Sequence, residues 1–304
     1  MDGVLLLNKK SGFTSFDSLA AVKKAFSTRK AGHSGTLDKF ATGLLVVLVG
    51  QAVKLNFLFE NFDKDYTGTI LFGKETDTLD PEGEVIASGP LPSREQVESA
   101  LNYFRGEILQ APPAYSALHI NGRRAHELAR EGKAPEMKKR PAFIHELEII
   151  SWAPPQAVIH AKVSSGTYIR SLARDIAIAA SSRGHLGALE RNTVGPFRLA
   201  EAVTESSDFE KALLPLRPEL FKTLSIPCFF LNEREADDFI HGRPIDKLIN
   251  KFNSVEGKTD TAVFYRENAA KRESAANSGN ECLPLGILVR KNEKWSYGHV
   301  YANN

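Results

Sequence analysis

One carboxylate in a run of small residues is the feature of this 304-residue chain most suited to chemistry. Asp38 closes the stretch Ala31-Gly32-His33-Ser34-Gly35-Thr36-Leu37-Asp38, and Leu44 to Gly50 follows as an apolar run that reads as a buried strand. Gly32, Gly35 and Gly43 permit turns that a side chain forbids, and they let a bulky ligand approach the main chain. This placing suits a catalytic loop carried on a rigid sheet; it equally suits a tight turn capped by Asp38. Two other chemistries fail on spacing. A phosphate-cradling loop needs Gly, four residues, then Gly-Lys-Ser/Thr, and here Gly35 is followed by Thr36. A nucleophile elbow needs Gly-x-Ser-x-Gly; Ser34 has Gly32 two positions before it but Thr36 two positions after.

Further blocks extend the pattern. Leu5-Leu6-Leu7-Asn8-Lys9 and Gly12-x-Thr14-Ser15 precede the Asp38 loop, and Ala41-Thr42-Gly43-Leu44-Leu45 and Gly50-x-Ala52-x-Lys54 follow it. Then come Asp65-Tyr66, Leu71-x-Gly73-x-x-Thr76-Asp77-Thr78-x-Asp80-x-x-Gly83, and Gln110-x-Pro112-Pro113-x-Tyr115-Ser116-Ala117. The last are Ser165-Gly166-Thr167-Tyr168-Ile169-Arg170-Ser171-Leu172-Ala173-Arg174-Asp175 and Leu189-x-Arg191-x-x-x-Gly195-Pro196-Phe197. In this order the blocks resemble the signatures of the bacterial tRNA pseudouridine synthases of the TruB type. Three positions depart from that pattern: Lys10 stands where proline is usual, His119 where lysine is, and His126 where tyrosine is.

The resemblance implies an α/β (α+β) pseudouridine-synthase fold. Its sheet is mixed and mainly antiparallel, with flanking helices and a cleft across one face. A catalytic domain is expected over residues 1–222, with an RNA-clamping insert at about 112–140. A small β-rich, PUA-like RNA-binding domain is expected over 223–304, entered near Gly242-Arg243-Pro244-Ile245. The implied reaction isomerises uridine 55 in the T-loop of tRNA. It breaks the glycosidic bond, turns the base and rejoins it through carbon. Nothing is oxidised and no group is lost, so no cofactor or metal is expected.

By the same resemblance Asp38 is the ionised carboxylate, acting as nucleophile or as base at the sugar. Arg170 lies beside it and is expected to lower its pKa. Tyr66 stacks on the uracil and helps remove the proton from carbon; Tyr168 and Leu189 line the pocket. His33 stacks on bases of the opened loop, and Gly35 and Thr36 belong to the substrate-binding loop. Flipping the uridine out costs a few kcal/mol of unstacking. Stacking on aromatic faces returns roughly 1–3 kcal/mol per base, and phosphate contacts from Arg123, Arg124 and Lys133 add a salt-dependent contribution.

The elements that must position these residues are legible as patterns. A strand at 3–8 leads to a helix beginning near Ser15, read as its cap. Residues 65–72 alternate, with Tyr66, Gly68, Ile70 and Phe72 on one face and Asp65, Thr67 and Thr69 on the other. Ser93-x-x-Gln96 is a capping box for a helix to about Phe104. Pro112-Pro113 stops regular structure, and the basic 121–140 segment carries one short helix. Strands are expected at 143–151 and 157–164, parted by Pro154-Pro155, then a helix from about Tyr168 to Ser181. Residues 268–281 read as a mobile loop. Leu283 to Tyr301 reads as two strands turning at Lys291-Asn292-Glu293.

Composition is that of an ordinary globular protein, with a net charge of only +2. The charge is uneven: residues 121–140 hold seven lysines and arginines against three glutamates. A solvated helix face and a polyanion-binding face both fit such a run. Cys228 and Cys282 are too few and too late for a disulfide framework or a four-ligand zinc site, and read as core thiols of a cytoplasmic protein. Asp77, Asp80 and Glu82 lack the alternate-residue spacing of a calcium loop and read as turn residues. No run is long enough to span a membrane. The expected partner is the T-arm stem-loop of tRNA, the expected state a monomer. A tRNA-binding folding chaperone using the same surface is the alternative. A phosphotransferase would need an Asp-x-Asp pair or metal ligands beside Asp38, and the sequence has neither.

Overall fold

The computed structural model describes residues 1–120, 122–132, 137–204, 208–244, 260–267, 284–291 and 294–301, without the side chains of His126, Arg130 and Lys291. Lys133, Ile245, Cys282, the 268–281 segment and the turn at 292–293 therefore lie outside the described residues, as does the His126 side chain. The chain divides into two compact units. One comprises Leu5–Leu48 and Leu55–Ala212; the other comprises Met1–Val4, Val49–Lys54 and Leu213–Asn304.

One large sheet runs through the larger unit. Its strands run in the order Gly3–Lys9, Thr42–Val49, Gly184–Val194, Lys64–Phe72, Gln156–Val163, Arg140–Ala153, Gly106–Gln110. Thr42–Val49 pairs parallel with Gly184–Val194, whereas the pairs from Gly184–Val194 outward are antiparallel. This is the mixed, mainly antiparallel sheet expected. Gly184–Val194 was not anticipated as a strand. Its Ala188, Leu189 and Glu190 alternate too briefly among polar residues for period-two patterning to single it out, yet it pairs with both neighbours near the centre of the sheet.

On Lys64–Phe72 every second residue is buried, from Lys64 through Tyr66 and Ile70 to Phe72. That face joins Ile159, Ala161 and Val163 of the next strand and receives Leu172, Ala173 and Ile176 from the Ile169–Ala179 helix. Val97, Ala100 and Leu101 of the Arg94–Leu101 helix complete this core, and the capping box at Ser93 and Gln96 starts that helix as its spacing requires. Gly68 lacks the side chain that would crowd Leu186, Leu189 and Ile169, each within 4 Å of where its β-carbon would lie.

The first helix departs from expectation. It spans Leu19–Ala25, and Ser15 does not cap it. Thr14 and Asp17 exchange bonds instead: the Thr14 N–H donates to Asp17 Oδ2 at 3.0 Å and the Asp17 N–H to Thr14 Oγ1 at 3.1 Å. Ser15 is buried and turned toward residue 37, because a hydroxyl with both a donor and an acceptor to satisfy finds them on the Leu37 main chain.

In the smaller unit a four-stranded sheet runs in the order Cys228–Leu231, Thr261–Arg266, Gly286–Lys291, Lys294–Val300. Its first pair is parallel and the rest antiparallel. The helix Glu233–Ile240, capped reciprocally by Asn232 and Glu235, sets Ala236 and Phe239 into a core with Leu231, Phe264 and Leu288. Cys228 is a free, half-buried thiol whose pKa burial pushes up to about 11. Among the described residues no helix is long and apolar enough to cross a membrane.

Candidate active site

The Asp38 loop is held from beneath by the segment that follows the first strand. Ser15 Oγ accepts from the Leu37 N–H at 2.8 Å and donates to the Leu37 carbonyl at 3.1 Å. The Gly12 N–H donates to the Lys39 carbonyl at 2.9 Å, and Ser11 Oγ to the Phe40 carbonyl at 2.8 Å. The buried Lys9 ammonium donates to the carbonyls of Phe13, Lys10 and Lys39 at 2.7, 3.0 and 3.3 Å. Residues 37, 39 and 40 are thus fixed on either side of Asp38, which leaves its carboxylate a single aim. Burial and the Arg191 charge pull the Lys9 pKa down to about 8, with Asp38 opposing.

The aim is toward Arg170. Arg170 stands in the first turn of the Ile169–Ala179 helix, and its side chain is only 6% exposed. Its Nη2 donates to Asp38 Oδ1 at 2.9 Å and to the Tyr115 carbonyl at 3.0 Å; its Nη1 donates to the Thr78 carbonyl at 2.8 Å and to Asp80 Oδ2 at 3.0 Å. One guanidinium therefore serves two carboxylates. Arg174, by contrast, pairs with its neighbour Asp175 at 2.7 Å.

Arg170 does pull the Asp38 pKa down, as expected, but it does not decide the net direction. The Asp38 pKa is raised, not lowered: burial of the carboxylate outweighs the Arg170 charge, and the nearby Asp80 adds like-charge repulsion. A cation shared with a second acid does not fully offset the desolvation of Asp38. The result is a carboxylate more basic than an ordinary aspartate.

Asp80 also corrects its reading as a turn residue alone. It does shape the turn, accepting from Thr78 Oγ1 at 2.6 Å and from the Glu82 N–H at 3.1 Å. It is also buried, and its second oxygen faces Arg170. Sequence reasoning missed Gln110 as well. Its side chain donates to the Tyr168 carbonyl at 3.1 Å and accepts from the Tyr168 N–H at 2.8 Å, tying the start of the Arg170 helix to the sheet edge. Gln110 stands two residues before Pro112-Pro113, and a lone amide at that stop is the signal that could have found it.

The other site residues fall into three groups. Tyr66 and Leu189 are buried in one apolar cluster with Leu37 and Ile169, which carries them beside the Asp38 loop. Tyr168 is half-buried. Burial raises its phenol pKa, a hydrogen bond from the Ser116 hydroxyl opposes, and the charges of Arg170 and Asp38 reach it, so the phenol is neutral near the Asp38–Arg170 pair. His33 lies half-buried on the short strand Ala31–Ser34, its pKa lowered by burial and by Arg191, while Gly35 and Thr36 are exposed. The expected backbone-binding residues are placed differently. Arg123 and Arg124 are exposed on a two-residue strand paired with His119–Ile120, and the Arg123 guanidinium is already engaged by Glu131.

A family model described as TruB family pseudouridylate synthase (N terminal domain) matches residues 23–169. A tRNA pseudouridine synthase B of Borreliella burgdorferi (strain ZS7) is 44% identical over 216 residues, covering 70% of this chain and 76% of the relative. One from Zymomonas mobilis is 46% identical over 259 residues, covering 81% and 84%. Among solved structures, a Cbf5–Nop10–Gar1 complex aligns with a TM-score of 0.63 at 19% identity, over 99% of this chain and 84% of that one. An H/ACA ribonucleoprotein bound to a substrate RNA containing 2'-deoxyuridine gives 0.62 at 19% identity, over 95% and 78%. At such identity the structural likeness speaks for the fold, while the sequence relatives speak for descent. With the signature blocks folded around one ion-paired aspartate, the chain belongs to the TruB family of pseudouridylate synthases.

Proposed function

We propose that this protein isomerises uridine to pseudouridine in tRNA, acting on uridine 55 of the T-loop. The observation that carries the reading is the Asp38–Arg170 contact at 2.9 Å within the family's signature loop. Asp38 acts at the ribose, as nucleophile or as base, and its raised pKa suits either role. Arg170 keeps enough of the carboxylate ionised and fixes which oxygen stays free: Oδ1 is bonded, so Oδ2 faces the substrate. Tyr66 stacks on the detached uracil and assists loss of the proton from C5. Tyr168 and Leu189 wall the pocket, and His33 holds the flipped-out bases of the loop by stacking. The atoms of substrate and product are the same, so the reaction needs no redox agent or nucleotide.

The wider organisation follows the same reading. Residues 1–222 form the catalytic domain and 223–304 a PUA-like RNA-binding domain, in a monomeric cytoplasmic enzyme. Within the 112–140 insert, Arg124 meets the RNA backbone; Arg123 must first leave Glu131 to do so. The test is tritium release from tRNA transcript labelled at uracil C5. The unaltered protein should release one equivalent per tRNA, Asp38→Asn essentially none, and a transcript with cytidine at position 55 none with either. A folded, tRNA-binding protein that releases nothing would favour the chaperone alternative.

A further inference from the structure

Two buried cations of the larger unit have a placing that catalysis at Asp38 does not use. Arg191 is 1% exposed and Lys64 is 7% exposed. Arg191 Nε donates to the Leu44 carbonyl at 2.7 Å and Nη2 to the Gly35 carbonyl at 3.1 Å. Its Nη1 lies 3.4 Å from the point a Gly35 β-carbon would occupy, and Lys64 Cε lies 3.9 Å from that same point. The Lys64 ammonium makes one hydrogen bond, to the Glu60 carbonyl at 3.0 Å. Among the described residues, neither cation has a carboxylate oxygen within 4.0 Å.

A buried cation is costly unless an anion faces it. Here like charges face each other instead. Burial and Arg191 bring the Lys64 pKa down to about 8, only partly offset by Asp63 and Glu60, and Arg191 also depresses Lys9 and His33. Gly35 lies against this pair of cations: it is exposed, has φ +81° and carries no side chain. Any other residue there would be strained and would fill the approach to Arg191. An exposed glycine thus lies three positions from Asp38 and against two buried cations that have no carboxylate oxygen within 4.0 Å among the described residues.

We propose that Gly35, Lys64 and Arg191 form a phosphate subsite, which takes one phosphodiester of the RNA strand carrying the target uridine. The proposal rests on the tRNA reading above. Arg191, tied at Nε and Nη2, is the fixed charge and holds the loop in shape. Lys64 is the reaching group, because its flexible stem exchanges one carbonyl for a phosphate oxygen. The subsite makes RNA the counter-ion that the fold lacks, and so links strand position to the orientation of the Asp38 loop.

The test is binding of a T-arm stem-loop across a salt series, by the unaltered protein and by Lys64→Gln. A set of RNAs, each with one neutral methylphosphonate linkage, is measured in parallel. Lys64→Gln should weaken binding about tenfold and make the log–log salt slope shallower by about 0.7. One linkage should weaken the unaltered protein equally and cost Lys64→Gln nothing further, and Lys64→Arg should keep the normal slope. Since Lys64 is a destabilised charge in the free protein, Lys64→Gln should melt no lower at pH 7. An unchanged slope, the absence of any coupled linkage, or a large loss of stability in Lys64→Gln would overturn the subsite. So would stabilisation by inorganic phosphate that depends on Lys64 without a coupled linkage, which marks a site for the free ion. Tritium release by the unaltered protein from the same RNA is scored separately: release without a Lys64 effect sinks only the subsite, and a Lys64 effect without release sinks only the enzyme.

Discussion

Arg170→Met removes the one cation shared by Asp38 and Asp80 and keeps most of the side-chain volume. Four hydrogen bonds disappear, to Asp38, Asp80 and the carbonyls of Thr78 and Tyr115. Removing one partner of a buried ion pair costs about 3–5 kcal/mol, because the other charge stays behind uncompensated. The Asp80 side chain is 8% exposed and qualifies in full, although Thr78 Oγ1 and the Glu82 N–H still support it. The Asp38 side chain is a third exposed, so solvent screens its share. A loss of about 3 kcal/mol at pH 7 is expected, read from urea unfolding followed by circular dichroism. The sign of the pH dependence follows from Asp38. Its folded pKa is already raised and loses its main opposing charge, so its contribution is favourable at low pH and lost as pH rises through the folded value. The deficit should therefore be largest at neutral pH and shrink toward pH 4, together with tritium release below detection at every pH. A loss under about 1 kcal/mol at pH 7, or one that does not vary with pH, would refute the shared-cation account.

Four further outcomes are specific. In the unaltered enzyme the acid limb of the activity profile should lie above the ordinary aspartate value of about 3.9, since burial raises Asp38; a limb at or below that value contradicts the site. Ser15→Ala leaves the buried Leu37 N–H without its acceptor, so it should cost about 1–3 kcal/mol in unfolding and lower single-turnover tritium release more than tRNA affinity. Gly43→Ala, at φ +104° with the new carbon 2.5 Å from Arg191 backbone atoms, should lose more than about 4 kcal/mol or fail to fold. Gly12→Ala, at φ +86° but with open space around it, should cost only about 1–2 kcal/mol; equal behaviour in the two melts would show that backbone strain alone decides.

The sequence by itself determined the elements whose period is carried by their own side chains. The Lys64–Phe72 strand with Tyr66 inward, the Ser93 capping box and the helix bearing Arg170 all follow from spacing, since burial on one face imposes a repeat that reads directly along the chain. The signature blocks likewise identified Asp38 and Arg170 as partners. Only the tertiary structure decided what surrounds them. Ser15 holds Leu37 rather than capping a helix, Asp80 shares Arg170 as well as shaping a turn, and Gln110 fastens Tyr168, in contacts spanning 22, 90 and 58 positions. No local pattern encodes such pairs, because they arise where separate strands and loops meet. The same is true of the Asp38 pKa, whose direction is set by burial and by a second carboxylate against one cation. Charge identity is written in the chain, but desolvation is a property of everything packed around it.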